Sequence, residues 1–168
     1  NYRSEKRSMD TKQYLEQAAE IDQLDEKILK LITRNARIPF LEVARECGVS
    51  GAAIHQRVQR LLNIGVVSGS EFIVNPQRLG YNTCAYMGIH LDKAKYHTQV
   101  VEALREIPEV VECHYTTGQY AIFAKIQTKT NKHLKQIIDE ELQDIEGIAR
   151  TETFMSLEMD FKRQVPIK

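Results

Sequence analysis

The chain has no tryptophan, only three cysteines and no surplus of charge, and each scarcity removes a class of protein. A membrane helix needs roughly 18 to 20 consecutive apolar residues, and no stretch of this sequence comes near that. The charged start NYRSEKRSMDTK lacks the apolar segment of a signal peptide. A cytoplasmic protein without a membrane partner is the expectation. Cys47, Cys84 and Cys113 are widely spaced and odd in number, which suits a reducing compartment better than a disulfide framework. With no C-x-x-C pair, and with His55, His90, His97, His114 and His133 at no ligand spacing, neither a metal nor a cofactor is expected. The 23 basic and 23 acidic residues cancel, so nucleic-acid binding would have to come from a local arrangement. Catalytic signals are missing too. Cys113 and His114 are neighbours in a strand-like stretch, where adjacent side chains point to opposite faces and cannot form a dyad. No paired carboxylates or other nucleophile constellation emerges, so no catalytic residue is assigned and an enzyme is not expected.

What is present is enough apolar content, 42% of 168 residues, for one medium domain or two small ones. Residues 1–20 form an extension with four basic and four acidic side chains, in which Tyr14, Leu15, Ala18 and Ala19 supply the apolar start of a helix. From Ile21 a helical period is clear: Ile21, Leu24, Ile28, Leu31 and Ile32 share a stripe, with Asp25, Glu26, Lys27 and Lys30 on the solvent side. Pro39 suits a first helical position, and Phe40, Val43, Ala44 and Cys47 make a second short stripe ending at Gly48. In CGVSGAAIHQRVQRLLNIG, Ser50 is a good N-cap, Ile54, Val58, Leu61 and Leu62 form the buried stripe, and Gly65 stops the helix. The segment VVSGSEFIVN then reads as a turn and one strand, with a boundary at Asn75-Pro76.

Strands and helices alternate from about Asn82. TCAYMGIHL sets Ala85, Met87, Ile89 and Leu91 against Cys84, Tyr86, Gly88 and His90. A helix in KYHTQVVEALREIP precedes two strands, EVVECHYTTG and QYAIFAKIQT, meeting near Gly118. Another helix, NKHLKQIIDEELQDIEG, turns Leu134, Ile137, Ile138, Leu142 and Ile145 inward. A last strand alternates Thr153, Met155, Leu157, Met159 and Phe161. Strand, helix, strand, strand, helix, strand is the split βαβ order, with both helices on one face of an antiparallel sheet. A second copy of the chain is the economical cover for the other face, which offers Tyr86, His90 and Tyr115, so a dimer or larger assembly is expected. The predicted class is α+β: a winged helix-turn-helix over 21–68, a linker with a strand over 69–81, and a ferredoxin-like βαββαβ sandwich over 82–168.

Three helices with a short middle one and a glycine-containing turn make a helix-turn-helix. The outward face of the third helix carries Ala52, Gln56, Gln59 and Asn63, flanked by His55, Arg57 and Arg60, and no acidic residue. Gly51 and Ala52 let the helix N-terminus approach a major groove, Gln56 can pair bidentately with adenine, and the arginines can reach guanine or phosphate. Ser50 and the first-turn N–H groups can hold a phosphate. Arg57, beside the buried stripe, could instead pin the helix to its neighbour, and Gln56 and Arg60 rank above it as DNA contacts. Double-stranded DNA is the expected partner. The alternative is a ligand-binding regulatory module whose helices dock onto a protein partner.

The run IDQLDEKILKLITRNARIPFLEVARECGVSGAAIHQRVQRLLNIGVVSG resembles the N-terminal domain of the Lrp/AsnC feast/famine transcription regulators, and the likeness continues through NPQRLGYNTCAYMGI. TTGQYAIFAKI and RTETF are closer to the asparagine-responsive branch than to the leucine branch. The resemblance implies a dimer built on the sensing-domain sheets, assembled into a tetramer of dimers, with paired heads on a pseudo-palindromic site. It also implies an amino-acid effector, asparagine on that branch, at the loop after the second strand: Thr116, Thr117, Gly118, Gln119, Tyr120 and Ala121. Where many leucine-type members have an aspartate this chain has Ala121, which argues against leucine and leaves two alternatives: an effector's ammonium pairs elsewhere, with Glu152 or backbone carbonyls, or no small effector is used. Gly51 stands where relatives frequently have proline, which loosens the helix start.

Overall fold

The computed structural model describes residues 18–167. The helix start expected at Tyr14 and Leu15 lies outside them, and Ala18 and Ala19 are not helical. The chain divides into two compact units, one running to Phe72 and joined by the tail from Arg163, the other Ile73–Lys162.

The first unit holds three helices: α1 Gln23–Arg34, α2 Phe40–Cys47 and α3 Gly51–Asn63. Asp22 caps α1, accepting a hydrogen bond from the Asp25 backbone N–H at 2.9 Å, while the Asp25 carboxylate accepts from the Asp22 N–H at 3.1 Å. This reciprocal box satisfies two of the amide groups that a helix start leaves without partners. Pro39 is the N-cap of α2, one place before the first helical position. The turn to α3 needs Gly48, whose φ of 70° is left-handed. Ile28, Val43, Ala44 and Ile54 form the core, with Leu24, Phe40, Val49 and Val58 packed around it.

Ile21 and Leu62, placed on the apolar stripes by periodicity, are exposed, and two further expectations fail here. Asp25, placed on the solvent side by periodicity, is 1% exposed. Its position is the third of the helix, where a carboxylate turns back onto the capping residue instead of outward. The expected strand in the linker does not form: residues 66–75 have no regular structure, and Phe72, Ile73 and Val74 are exposed. A strand needs a hydrogen-bonded neighbour, and among the described residues the only sheet is the four-stranded one of the second unit, so a wing strand is absent there.

The second unit is a sheet of β1 Thr83–Leu91, β2 Val110–Tyr115, β3 Ile122–Thr128 and β4 Ile148–Met155, all antiparallel and ordered β2-β3-β1-β4. With α4 His97–Arg105 and α5 Asn131–Gln136 between strands, this is the anticipated βαββαβ order. Ala85, Met87 and Ile89 of β1 and Ile122 and Ile126 of β3 pack with Val100, Leu104, Leu134, Ile137 and Leu142 of the helical layer. The second helix changes to π-helical turns at Ile137–Leu142. The wider turn brings Leu142 inward with Ile137, five residues earlier, and both are 1% exposed. The last strand stops at Met155, shorter than its alternation suggests, and Leu157, Met159 and Phe161 beyond it are exposed.

Candidate DNA-reading helix and effector loop

On α3 the Ser50 hydroxyl accepts from the Ala53 N–H at 3.1 Å, fixing the helix start that the sequence marks. A Cβ at Gly51 would lie 3.2 Å from Leu41 Cδ2, so a small residue suits the close turn between α2 and α3. Ala52, His55, Gln56, Gln59 and Arg60 are exposed, whereas Gly51 and Arg57 are half-buried. Gln59 donates to Asn63 Oδ1 at 3.1 Å, and the His55 ring meets Phe40 edge-on at 5.1 Å. His55, Gln56, Gln59, Arg60 and Asn63 line a shallow concave stretch. The helix has no acidic residue in its first turn or elsewhere, so its N-terminal end carries the positive end of the helix dipole with nothing to cancel it.

The two arginines are held. Arg57 Nη1 donates to Asp22 Oδ2 at 2.5 Å and to Asp25 Oδ1 at 3.2 Å. Arg60 Nη1 donates to Asp25 Oδ2 at 3.2 Å, and its Nη2 donates to the Glu20 carbonyl at 2.8 Å. The backbone hydrogen bond from Asp25, followed by the Arg57 side chain, lowers the Asp22 carboxyl below the usual range. The carboxylates of Asp22 and Asp25 raise the Arg57 guanidinium above its usual value. Glu20, Asp22 and Asp25 did not figure among the expected site residues, although D-x-x-D at a helix start is the spacing of a capping box.

In the sheet unit, residues 116–121 connect β2 to β3, as the sequence suggests. The Thr116 N–H donates to the Ala121 carbonyl at 3.0 Å, and the Thr116 hydroxyl donates to the Tyr120 carbonyl at 2.7 Å. Gly118, at φ 94°, makes the turn between them. Thr117, Gly118 and Gln119 form its exposed tip. Ala121 continues the sheet through its N–H to the Ile89 carbonyl at 3.0 Å.

Tyr120 leaves the loop and lies across the outer face of the sheet. Its hydroxyl donates to Glu152 of β4, so the structure joins two residues separated by 32 positions. A Cβ at Gly88 would come within 2.5 Å of the Tyr120 ring, so only glycine gives the ring its seat. His90 meets the ring edge-on at 5.0 Å, and Phe123 and Phe154 flank it at 6.0 and 6.2 Å. Tyr86 stacks on Phe123 at 6.1 Å, completing an aromatic outer face. Gly88 was not singled out as a site residue; its only signal is a glycine inside a strand pattern. His114 Nε2 faces Glu112 at 3.2 Å, and burial pushes the Cys113 thiol up, the reverse of an activated nucleophile.

Known proteins match both units. The model of the AsnC-type helix-turn-helix domain matches residues 21–62, and that of the Lrp/AsnC ligand binding domain matches 84–165. Regulatory protein AsnC of Haemophilus influenzae is 39% identical over 145 residues, covering 86% of this chain and 97% of the relative. The HTH-type transcriptional regulator FL11 of Pyrococcus furiosus is 33% identical, covering 88% of this chain and 97% of the relative. The solved structure of Escherichia coli AsnC superposes with a TM-score of 0.84 at 35% identity, covering 88% of this chain and 99% of that one.

Proposed function

The chain belongs to the Lrp/AsnC family of transcription regulators, and from that premise we propose how its DNA-binding head and its ligand-binding domain are used. The acid-free exposed face of α3, with a capped N-terminus, supports DNA reading by Ser50, Gly51, Ala52, His55, Gln56 and Gln59. The first-turn N–H groups take a phosphate, and the glutamines reach base edges in the major groove.

The sheet unit senses a small amino acid, asparagine being the first candidate. A turn ordered by Thr116 and tied through Tyr120 to Glu152 supports this reading. Glu152 offers a carboxylate to an ammonium group where Ala121 offers none. Paired chains cover the aromatic outer face, and dimers assemble further, to a tetramer of dimers, in the cytoplasm. An effector at an interface between copies shifts assembly only by binding one arrangement better than another. The protein performs no catalysis in this scheme.

Thermal melts of the full chain against each of the twenty amino acids test the sensor. A ligand at about 100 times its Kd adds about 2.7 kcal/mol, which for a chain of this size is roughly 5–10 °C. A selective rise with asparagine is expected; a flat response across the panel contradicts amino-acid sensing.

A further inference from the structure

We propose that Arg57 and Arg60 are positioning residues that fasten the DNA-reading helix to α1, and that they do not bind phosphate. The inference rests on the DNA-reading role of α3. It takes the pinning alternative for Arg57 and reassigns Arg60, which sequence alone ranks as a DNA contact.

The Asp25 carboxylate is 1% exposed, and a carboxylate out of water is strongly unfavourable unless its lone pairs are filled. Here they are filled by three donors: Arg57 on Oδ1, and Arg60 together with the Asp22 N–H on Oδ2. Asp22 then accepts a second hydrogen bond from Arg57, and the Glu20 carbonyl takes the far nitrogen of Arg60. Two guanidinium groups meet two carboxylates, so the cluster is neutral. Arg57 and Arg60 stand three apart on α3, the spacing that puts both side chains on neighbouring positions of one flank. The result is a clasp at the start of α1 that sets the rotation of α3 about its own axis. That rotation decides whether Gln56 and Gln59 present to a groove. Swinging either arginine to a phosphate would leave the buried carboxylate short of a donor.

Salt titration separates this from the ordinary reading, because removing one cation that neutralises a phosphate lowers the slope of log K against log salt by about 0.9. The probe is a duplex enriched by the wild-type chain from a random library, with the full-length protein throughout. Arg60→Ala is expected to lower the melting temperature by roughly 10 °C and specific affinity about tenfold, with the slope unchanged. Asp25→Asn, which touches no DNA in either reading, is expected to do the same. Arg60→Lys keeps the charge but not the fork, and is expected to recover little of the lost melting temperature. A slope reduced by about 0.9 in Arg60→Ala, or Asp25→Asn matching wild type in both melt and affinity, overturns the proposal. Should the wild-type chain enrich no duplex, the DNA-reading face itself fails. The melts then decide the clasp alone: unchanged Asp25→Asn and Arg60→Ala refute it, and a shared loss upholds it.

Discussion

In the sheet unit eleven apolar side chains form one buried cluster, whereas the buried cluster of the helical head has four, Ile28, Val43, Ala44 and Ile54. The head adds what the sheet unit lacks, a buried carboxylate held by two arginines. The difference follows from size, since a small helical module cannot remove enough apolar surface from water to hold three helices by packing alone. Ionic pairing also fixes orientation where side-chain packing leaves rotation loose. The consequence is a head whose buried anchor responds to pH and salt beside a sheet unit whose core is apolar and whose ion pairs lie outside that core.

The comparison is sharpened most by Ile126→Ala in β3. Removing a side chain that is 1% exposed is expected to cost about 2–5 kcal/mol. The loss should be the same at low and high salt in denaturant unfolding; a strongly salt-dependent loss would break the contrast. The smallest effect belongs to Asp22→Asn. The folded-state carboxyl of Asp22 lies below its ordinary value of 3.8, so its contribution is present above that value and is lost as pH falls through the lowered one. Wild type and variant are therefore expected to differ in melting temperature at neutral pH and to converge on acidification below about 4. A gap that persists unchanged in acid would show that the Asp22 charge is not part of the clasp.

The two units also differ in how much of them sequence reveals. The stripe of Ile54, Val58 and Leu61 against an outward Gln56 and Gln59 is legible because helical period separates core from surface by angle. The alternation Ala85, Met87, Ile89 is legible for the corresponding reason in a strand. Asp25 defeats the same logic: a charged residue beside the core is assigned to solvent, and only the partners supplied by Arg57 and Arg60, more than thirty residues away, make its burial tolerable. Gly88 and Tyr120 are another long-range pair whose meeting no local pattern encodes. The linker EFIVN errs in the opposite direction. Its β-branched composition is real, but strand formation depends on a paired neighbour, and none forms among the described residues.

The most direct test of the central claim, that the outward face of α3 reads DNA sequence, is random-library selection with the wild-type chain and Gln56→Ala side by side. A wild-type motif with two related half-sites is expected, with Gln56→Ala losing preference at one position in each half while binding random DNA unchanged. No enriched motif from the wild-type chain, or identical motifs from both proteins, would contradict the assignment of that face.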